Sequence, residues 1–279
     1  MAVQDLSFCY PGNSACLQNV CLRASAGEFV AIVGETGSGK TTLLNAILGF
    51  VDTDQGHVLI DGHELADLSD DDLRRQVSVS SSDAVLFDMT IADNIRFGNL
   101  DASDDEVRSA AHASAADEFI ESLPEGYQTK IGERGGRLST GQRQRIALAR
   151  ALIRQLSILL LDEATAGLDG PTERLVMDRL LSRPDRPTIV MVTHRLYTLK
   201  QADRIYVLED GRITEQGNHH TLLQQGGLYH RLCRNQGFAS DPPPAPGQSR
   251  RAPLSLPGQE RQQRLHPGDE GIGGVPSSV

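Results

Sequence analysis

The sequence has no run of the about 18 to 20 apolar residues that a helix needs to cross a bilayer. Its longest apolar stretches, around Ile158 to Leu161 and Thr188 to Val192, are strand-sized. The chain is therefore not expected to span a membrane, and any transmembrane partner would be a separate chain or a part missing from this one. A secretory leader is not expected either: no basic segment precedes an apolar block, and Asp5 interrupts the N-terminus early. There is no basic excess. Against 27 Lys and Arg stand 37 Asp and Glu, a formal net charge of -10. A general nucleic-acid binder neutralises phosphate with a clustered basic surface, so this balance argues against nucleic acid as a partner. Metal-type cysteine spacing is absent as well. Cys9, Cys16, Cys21 and Cys233 include no CxxC pair and read as thiols, buried or at the surface, in a reducing cytoplasmic compartment.

What remains is a globular composition, with 39% hydrophobic residues in 279, enough to bury a sizeable core. From Asp241 onward Pro, Gly, Gln, Arg and Ser take over and leave few apolar residues to bury. Residues 238–279 are therefore expected to form a disordered tail. Before it, short apolar runs (Phe29 to Val33, Ile158 to Leu161, Thr188 to Val192, Arg204 to Leu208) alternate with longer helix-like segments. That alternation predicts an α/β domain with a mostly parallel sheet. Between about residues 88 and 156 the apolar spacing is helical instead, which predicts a helical subdomain inserted into the α/β core.

FVAIVGETGSGKTTLLNAIL places GxxxxGK[ST] after an apolar strand and before an amphipathic helix starting near Lys40. Gly34, Gly37 and Gly39 permit the backbone angles that turn successive N–H groups inward. The helix N-terminus adds its partial positive charge, so residues 34–42 (Gly34, Glu35, Thr36, Gly37, Ser38, Gly39, Lys40, Thr41 and Thr42) are expected to cradle a nucleotide's phosphates. Lys40 is assigned to the β- and γ-phosphates, Thr41 to magnesium and Thr42 to the α-phosphate.

Hydrolysis needs in addition a carboxylate near the metal and a group that acts on the attacking water. SILLLDEAT offers both: a buried strand, Asp162 at its C-terminal end to hold magnesium through water, and Glu163 as the catalytic carboxylate. These motifs by themselves define only a P-loop nucleotide hydrolase.

RLSTGQRQRIALARAL, just before the acidic strand, narrows this. A Ser and a Gly at the start of a helix offer a hydroxyl and free N–H groups to an anion. LSTGQ, residues Leu138, Ser139, Thr140, Gly141 and Gln142, resembles the signature sequence of ATP-binding cassette (ABC) proteins. The resemblance covers roughly residues 1 to 235, and the remaining motifs match it in order. Tyr10 in FCYPG resembles the aromatic residue that stacks on adenine. AGLD, ending at Asp169, resembles the D-loop that reports across the dimer. His194 in VTHR resembles the switch histidine that links the γ-phosphate to the catalytic carboxylate. KIGERGG before the signature and DRIYVLEDGRITEQGNHHTLL after the histidine are similar to exporter versions.

Such membership implies a P-loop (RecA-like) core with an N-terminal antiparallel β portion, an ABC domain over residues 1–237, and composite sites in which each signature meets the other subunit's nucleotide. It also implies Mg2+ with ATP, a homo- or heterodimer of nucleotide-binding domains, and attachment to a membrane domain at the cytoplasmic face. The expected function is ATP hydrolysis powering an exporter-type transporter. Two alternatives stay open: a soluble cassette ATPase outside transport, and a regulatory cassette with weakened turnover.

One segment departs from the pattern. Where the family has a sequence resembling VxVVPQxPxLF, this chain has VSVSSSDAVLF, so Ser82 stands at the glutamine position and Ser81 at the proline. The family's glutamine meets magnesium and the attacking water. A serine hydroxyl is shorter by several bonds and reaches the metal only through a water.

Overall fold

The computed structural model describes residues 1–12, 16–154 and 156–235. The tail expected over residues 238–279 therefore lies outside the described residues. Alternating apolar side chains put Val3, Leu6 and Phe8 of β1 (Ala2–Cys9) and Leu17, Val20 and Leu22 of β2 (Cys16–Arg23) on one buried face. These two strands pair antiparallel. With β4 (Gln55–Ile60) and β5 (His63–Glu64) they form a four-stranded antiparallel sheet in the order β2-β1-β4-β5.

The second sheet is built differently. β3 (Phe29–Val33) and β8 (Thr188–Val192) are buried along their whole length, as a strand covered on both faces must be. β3 pairs in parallel with β8 and with β9 (Arg204–Glu209), β8 with β7 (Ile158–Asp162), and β7 with β6 (Val77–Ser81), so that with β10 (Arg212–Gly217) at one edge the order is β10-β9-β3-β8-β7-β6. Only the edge strand β10 runs antiparallel to its neighbour.

Helix α1 (Lys40–Ile47) follows β3 and buries Leu43, Leu44 and Ile47 between the two sheets. α2 (Asp70–Gln76) precedes β6. Between β6 and β7 lie α3 (Ile91–Arg96), α4 (Asp104–Ala113), α5 (Asp117–Glu121) and α6 (Thr140–Leu152), packed on one another around Ile95, Ala111 and Ile146. The far face of the parallel sheet is covered by α7 (Gly170–Leu181), α8 (Leu196–Gln201), α9 (His219–Gln225) and α10 (Leu228–Asn235).

Four strand ends meet at one edge. The register pairs Ile32 with Val192, Val192 with Asp162, and Asp162 with Ser81. The ladder runs on into the loops, because Glu163 N donates to Val192 O at 3.0 Å and Ser82 N to Asp162 O at 2.9 Å. In open α/β sheets the crevice beyond the carboxyl ends of the strands is where ligands bind.

One expectation fails. Cys9 and Cys16 are not thiols: they are cross-strand partners at the β1–β2 turn, their Cα atoms 4.4 Å apart, and they form a disulfide. Spacing along the chain does not reveal this, since the pair is made by the register of two strands. Cys21 and Cys233 remain free, exposed and buried respectively.

Candidate functional site

A cleft of about 680 Å3 opens at the strand ends, lined by residues 36–42, Asp162 and Glu163, with Tyr10 and Cys16 at its margin. The loop from Gly34 to Gly39 owes its path to two positions. A Cβ at Gly34 would sit 2.2 Å from Leu208 O, and Gly39 adopts a φ of 104°, which places the first turn of α1 directly behind the loop. The Lys40 ammonium donates to Gly34 O at 3.0 Å and to Glu35 O at 2.7 Å, so the charge is held at the mouth of its own loop. Burial pulls its pKa below the usual lysine value, while Glu163 and Asp162 pull the other way.

Asp162 ends β7, and it lines the same cleft as Thr41. Burial, reinforced by Glu163 beside it, pushes its carboxyl above the ordinary aspartate value, and Lys40 offsets only part of that. Two adjacent carboxylates partly withdrawn from water, with a hydroxyl between them and the phosphate loop, form an all-oxygen donor set suited to a hard divalent cation that also binds phosphates. Glu163 turns the chain out of the strand with a φ of 49°, an unusual angle for a side chain larger than glycine. The Glu163 carboxylate stands 3.6 Å from the imidazole of His194, which is reached from the neighbouring strand β8.

Tyr10 is exposed, packed edge-on to Phe8 at 4.8 Å, with its hydroxyl 3.5 Å from Asn45 Nδ2. Ser139 is the N-cap of α6: its hydroxyl accepts from Gln142 N at 3.2 Å, and Gln142 Oε1 accepts from Ser139 N at 2.9 Å. Leu138 is buried beneath the cap, Thr140 is exposed, and Gly141 approaches the 166–169 loop closely enough that a Cβ would lie 3.1 Å from Gly167 O. None of residues 138–142 lines the cleft of Lys40 and Asp162. Asp169 caps α7 through Thr172 N at 2.8 Å, and that bond holds its carboxyl below the usual range.

A profile of the ABC transporter family matches residues 17–166. The chain belongs to that family. It is an ABC-type ATPase domain on a P-loop fold, homologous to the ATPase domains of exporters, and such domains generally use Mg2+ with ATP. The mitochondrial potassium channel ATP-binding subunit of Rattus norvegicus is 46% identical over 87% of this chain and 34% of its own length. The ATP-dependent lipid A-core flippase of Chromobacterium violaceum is 48% identical over 83% of this chain and 40% of its own. The structure of a bacterial Atm1-family ABC exporter with ATP bound matches 86% of this chain and 42% of that one, with a TM-score of 0.81 and 39% identity. The chain thus spans roughly a third to two-fifths of the relatives it matches.

Within the ABC domain, sequence reasoning passed over three residues that meet around the 166–169 loop: Gln144, Glu173 and Arg195. Each looks ordinary by itself. A glutamine and a glutamate that fall on the buried sides of α6 and α7 are the signal that was available, because buried polar side chains must find partners.

Proposed function

We propose that this ABC domain binds ATP in the strand-end cleft, dimerises around it with a second ABC domain, and hydrolyses it to power an exporter-type membrane transporter. The observation that carries this is the convergence of Lys40, Thr41, Asp162 and Glu163 on one cleft while the signature helix presents its N-terminus elsewhere. A site divided in that way is completed by another copy's Ser139 and Gly141, whose hydroxyl and helix-end N–H groups suit a γ-phosphate.

In this reading residues 34–42 hold the phosphates and Tyr10 stacks on the base. Magnesium is held by Thr41 and Asp162; bound there, it offsets phosphate charge. Glu163 orients and deprotonates the attacking water, His194 fixes that carboxylate against the γ-phosphate, and Asp169 reads the opposite subunit. Ser82 leaves one contact to the metal and water unmade, so turnover is slower than the family's glutamine would allow. The cassette is residues 1–237 with a helical subdomain over about 88–156.

A second observation bears on the membrane partner. No helix among the described residues is long and apolar enough to cross a bilayer. A groove of about 790 Å3, lined by the segment after α1, by β4, α2 and β6 and by residues at the ends of α3 and α6, includes Phe50 and Phe97, which are 70% and 49% exposed. Exposed apolar surface of this kind marks an interaction site. We assign it to a membrane domain, carried by a separate chain or by further sequence, which places this domain at the cytoplasmic face. The exposed Glu133 and Arg134 of KIGERGG flank the same partner.

The test is Mg-ATP hydrolysis measured against protein concentration, with Glu163→Gln as the blank. Specific activity that rises with concentration is the expected result for a composite site. Activity above the blank that stays independent of concentration down to full dissociation overturns it.

A further inference from the structure

The loop Ala166–Asp169 is gripped from two sides. Arg195, the residue after His194, directs Nη2 at two of its carbonyls, Ala166 O at 2.9 Å and Leu168 O at 2.7 Å. Its Nη1 pairs with Glu173 Oε2 at 2.8 Å, and Glu173, buried on α7, has its other oxygen occupied by the Thr198 hydroxyl at 2.6 Å. From the opposite side Gln144 of α6, 5% exposed, accepts from Gly167 N at 2.8 Å. The loop begins at Glu163, whose carbonyl accepts from Ala166 N at 2.9 Å and whose own N–H is tied to β8.

Two peptide groups of the loop, Ala166–Gly167 and Leu168–Asp169, are thus fixed by side chains from two sources: the strand end that carries His194 and the helix that begins with the signature. A planar fork with donors pointing in two directions is needed to hold a carboxylate and two carbonyls together, and only arginine supplies it.

Resting on the catalytic roles given above to Glu163 and His194, we propose that Arg195 is a positioning residue for ATP hydrolysis. It fixes the 166–169 loop, and through it the backbone of Glu163, while Gln144 holds the same loop to the signature helix. A displacement of the switch histidine then reaches the signature of the same chain through one shared loop. The grip is required for turnover and not for nucleotide capture, since neither residue lines the nucleotide cleft.

The experiment compares the full chain with Arg195→Lys, Gln144→Met and the double variant, reading kcat, KM, equilibrium ATP binding and Tm. Arg195→Lys keeps a charge for Glu173 but cannot span both partners. It is expected to lower kcat by about tenfold to a hundredfold while KM and the ATP dissociation constant stay within about twofold. The double variant is expected to lose less than the product of the two single losses, because both residues act on one loop. Arg195→Met strands a buried carboxylate, so a failure of that variant to fold would not bear on the question and it is not used.

A kcat for Arg195→Lys equal to wild type overturns the proposal. So does a parallel fall in kcat, ATP binding and Tm, which is the mark of a structural role, or a multiplicative double variant. Glu163→Gln is assayed alongside. If it abolishes turnover while Arg195→Lys does nothing, the positioning role fails alone; if it retains turnover, the catalytic assignment fails and the positioning role with it.

Discussion

Nδ1 of His194 lies 3.6 Å from Oε1 of Glu163, each side chain projecting just past the end of a strand, β8 and β7, that is hydrogen-bonded to the other. The pair is half open to solvent, so its value lies in geometry rather than in the energy of an ion pair. Glu163→Gln is expected to lower kcat by about 10²-fold to 10⁴-fold with ATP binding retained, as for loss of a general base. His194→Ala is expected to act on kcat in the same direction. Combined, the two should lose less than the product of the separate effects, and steady-state hydrolysis by the three variants checks this.

Ser82 sits at the end of β6 with its N–H bonded to Asp162 O, next to the metal-binding candidates. Ser82→Gln is expected to raise kcat, by up to about 10²-fold to 10³-fold if a positioning contact to the attacking water is restored. Turnover unchanged by this substitution would show that the position is not limiting.

Asp162 supplies a pH prediction. Burial holds its folded-state carboxyl above the unfolded value, so the ionised form costs stability. That cost is absent below the unfolded pKa, sets in as pH rises through the interval up to the folded pKa, and is complete above it. Without nucleotide or magnesium, Asp162→Asn is therefore expected to be more stable than wild type near pH 7. The difference in Tm should shrink on acidification toward the ordinary carboxylate range, because the raised folded value keeps more of the wild-type carboxyl protonated there than in the unfolded chain. The same variant is expected to lose turnover, an exchange of stability for function.

The Cys9–Cys16 disulfide closes a loop with a sequence separation of 7. Loop entropy makes such a crosslink worth about 2.5 kcal/mol. Reduction by dithiothreitol is expected to lower Tm by about 5 to 10 °C in wild type, and to leave Cys9→Ser unaffected. Because Cys9 adjoins Tyr10, ATP affinity measured with and without reductant shows whether the crosslink also sets the base-stacking position.

Most of the candidate phosphate site could be named along the chain because its parts are contiguous. GETGSGKTT is one loop and one helix start, and ILLLDE is one strand and its end. The antiparallel strands of the first thirty residues were not read from their own periodicity; they followed from the family resemblance, since β1 carries Asp5 and Ser7 among its apolar residues and shifts register twice along its pairing with β2. The helical run from α3 to α6 was legible because its apolar residues recur at helical spacing; the capping boxes at Ser103 and Ser139 that start two of its helices were not read from the sequence.

By itself, then, the sequence determined the nucleotide-binding chemistry and the family, since both reside in short segments whose side-chain types and spacing are set by the phosphates they must meet. Tertiary structure alone decided the rest. It placed Asp162, His194 and Ser82 at one edge through the register of β3, β8, β7 and β6, joined Cys9 to Cys16 across a hairpin, and closed Arg195, Glu173 and Gln144 around one loop. Those relations couple residues 7 to more than a hundred positions apart, and they arise from strand pairing and from the need of buried polar groups for partners, neither of which leaves a fixed spacing in the chain.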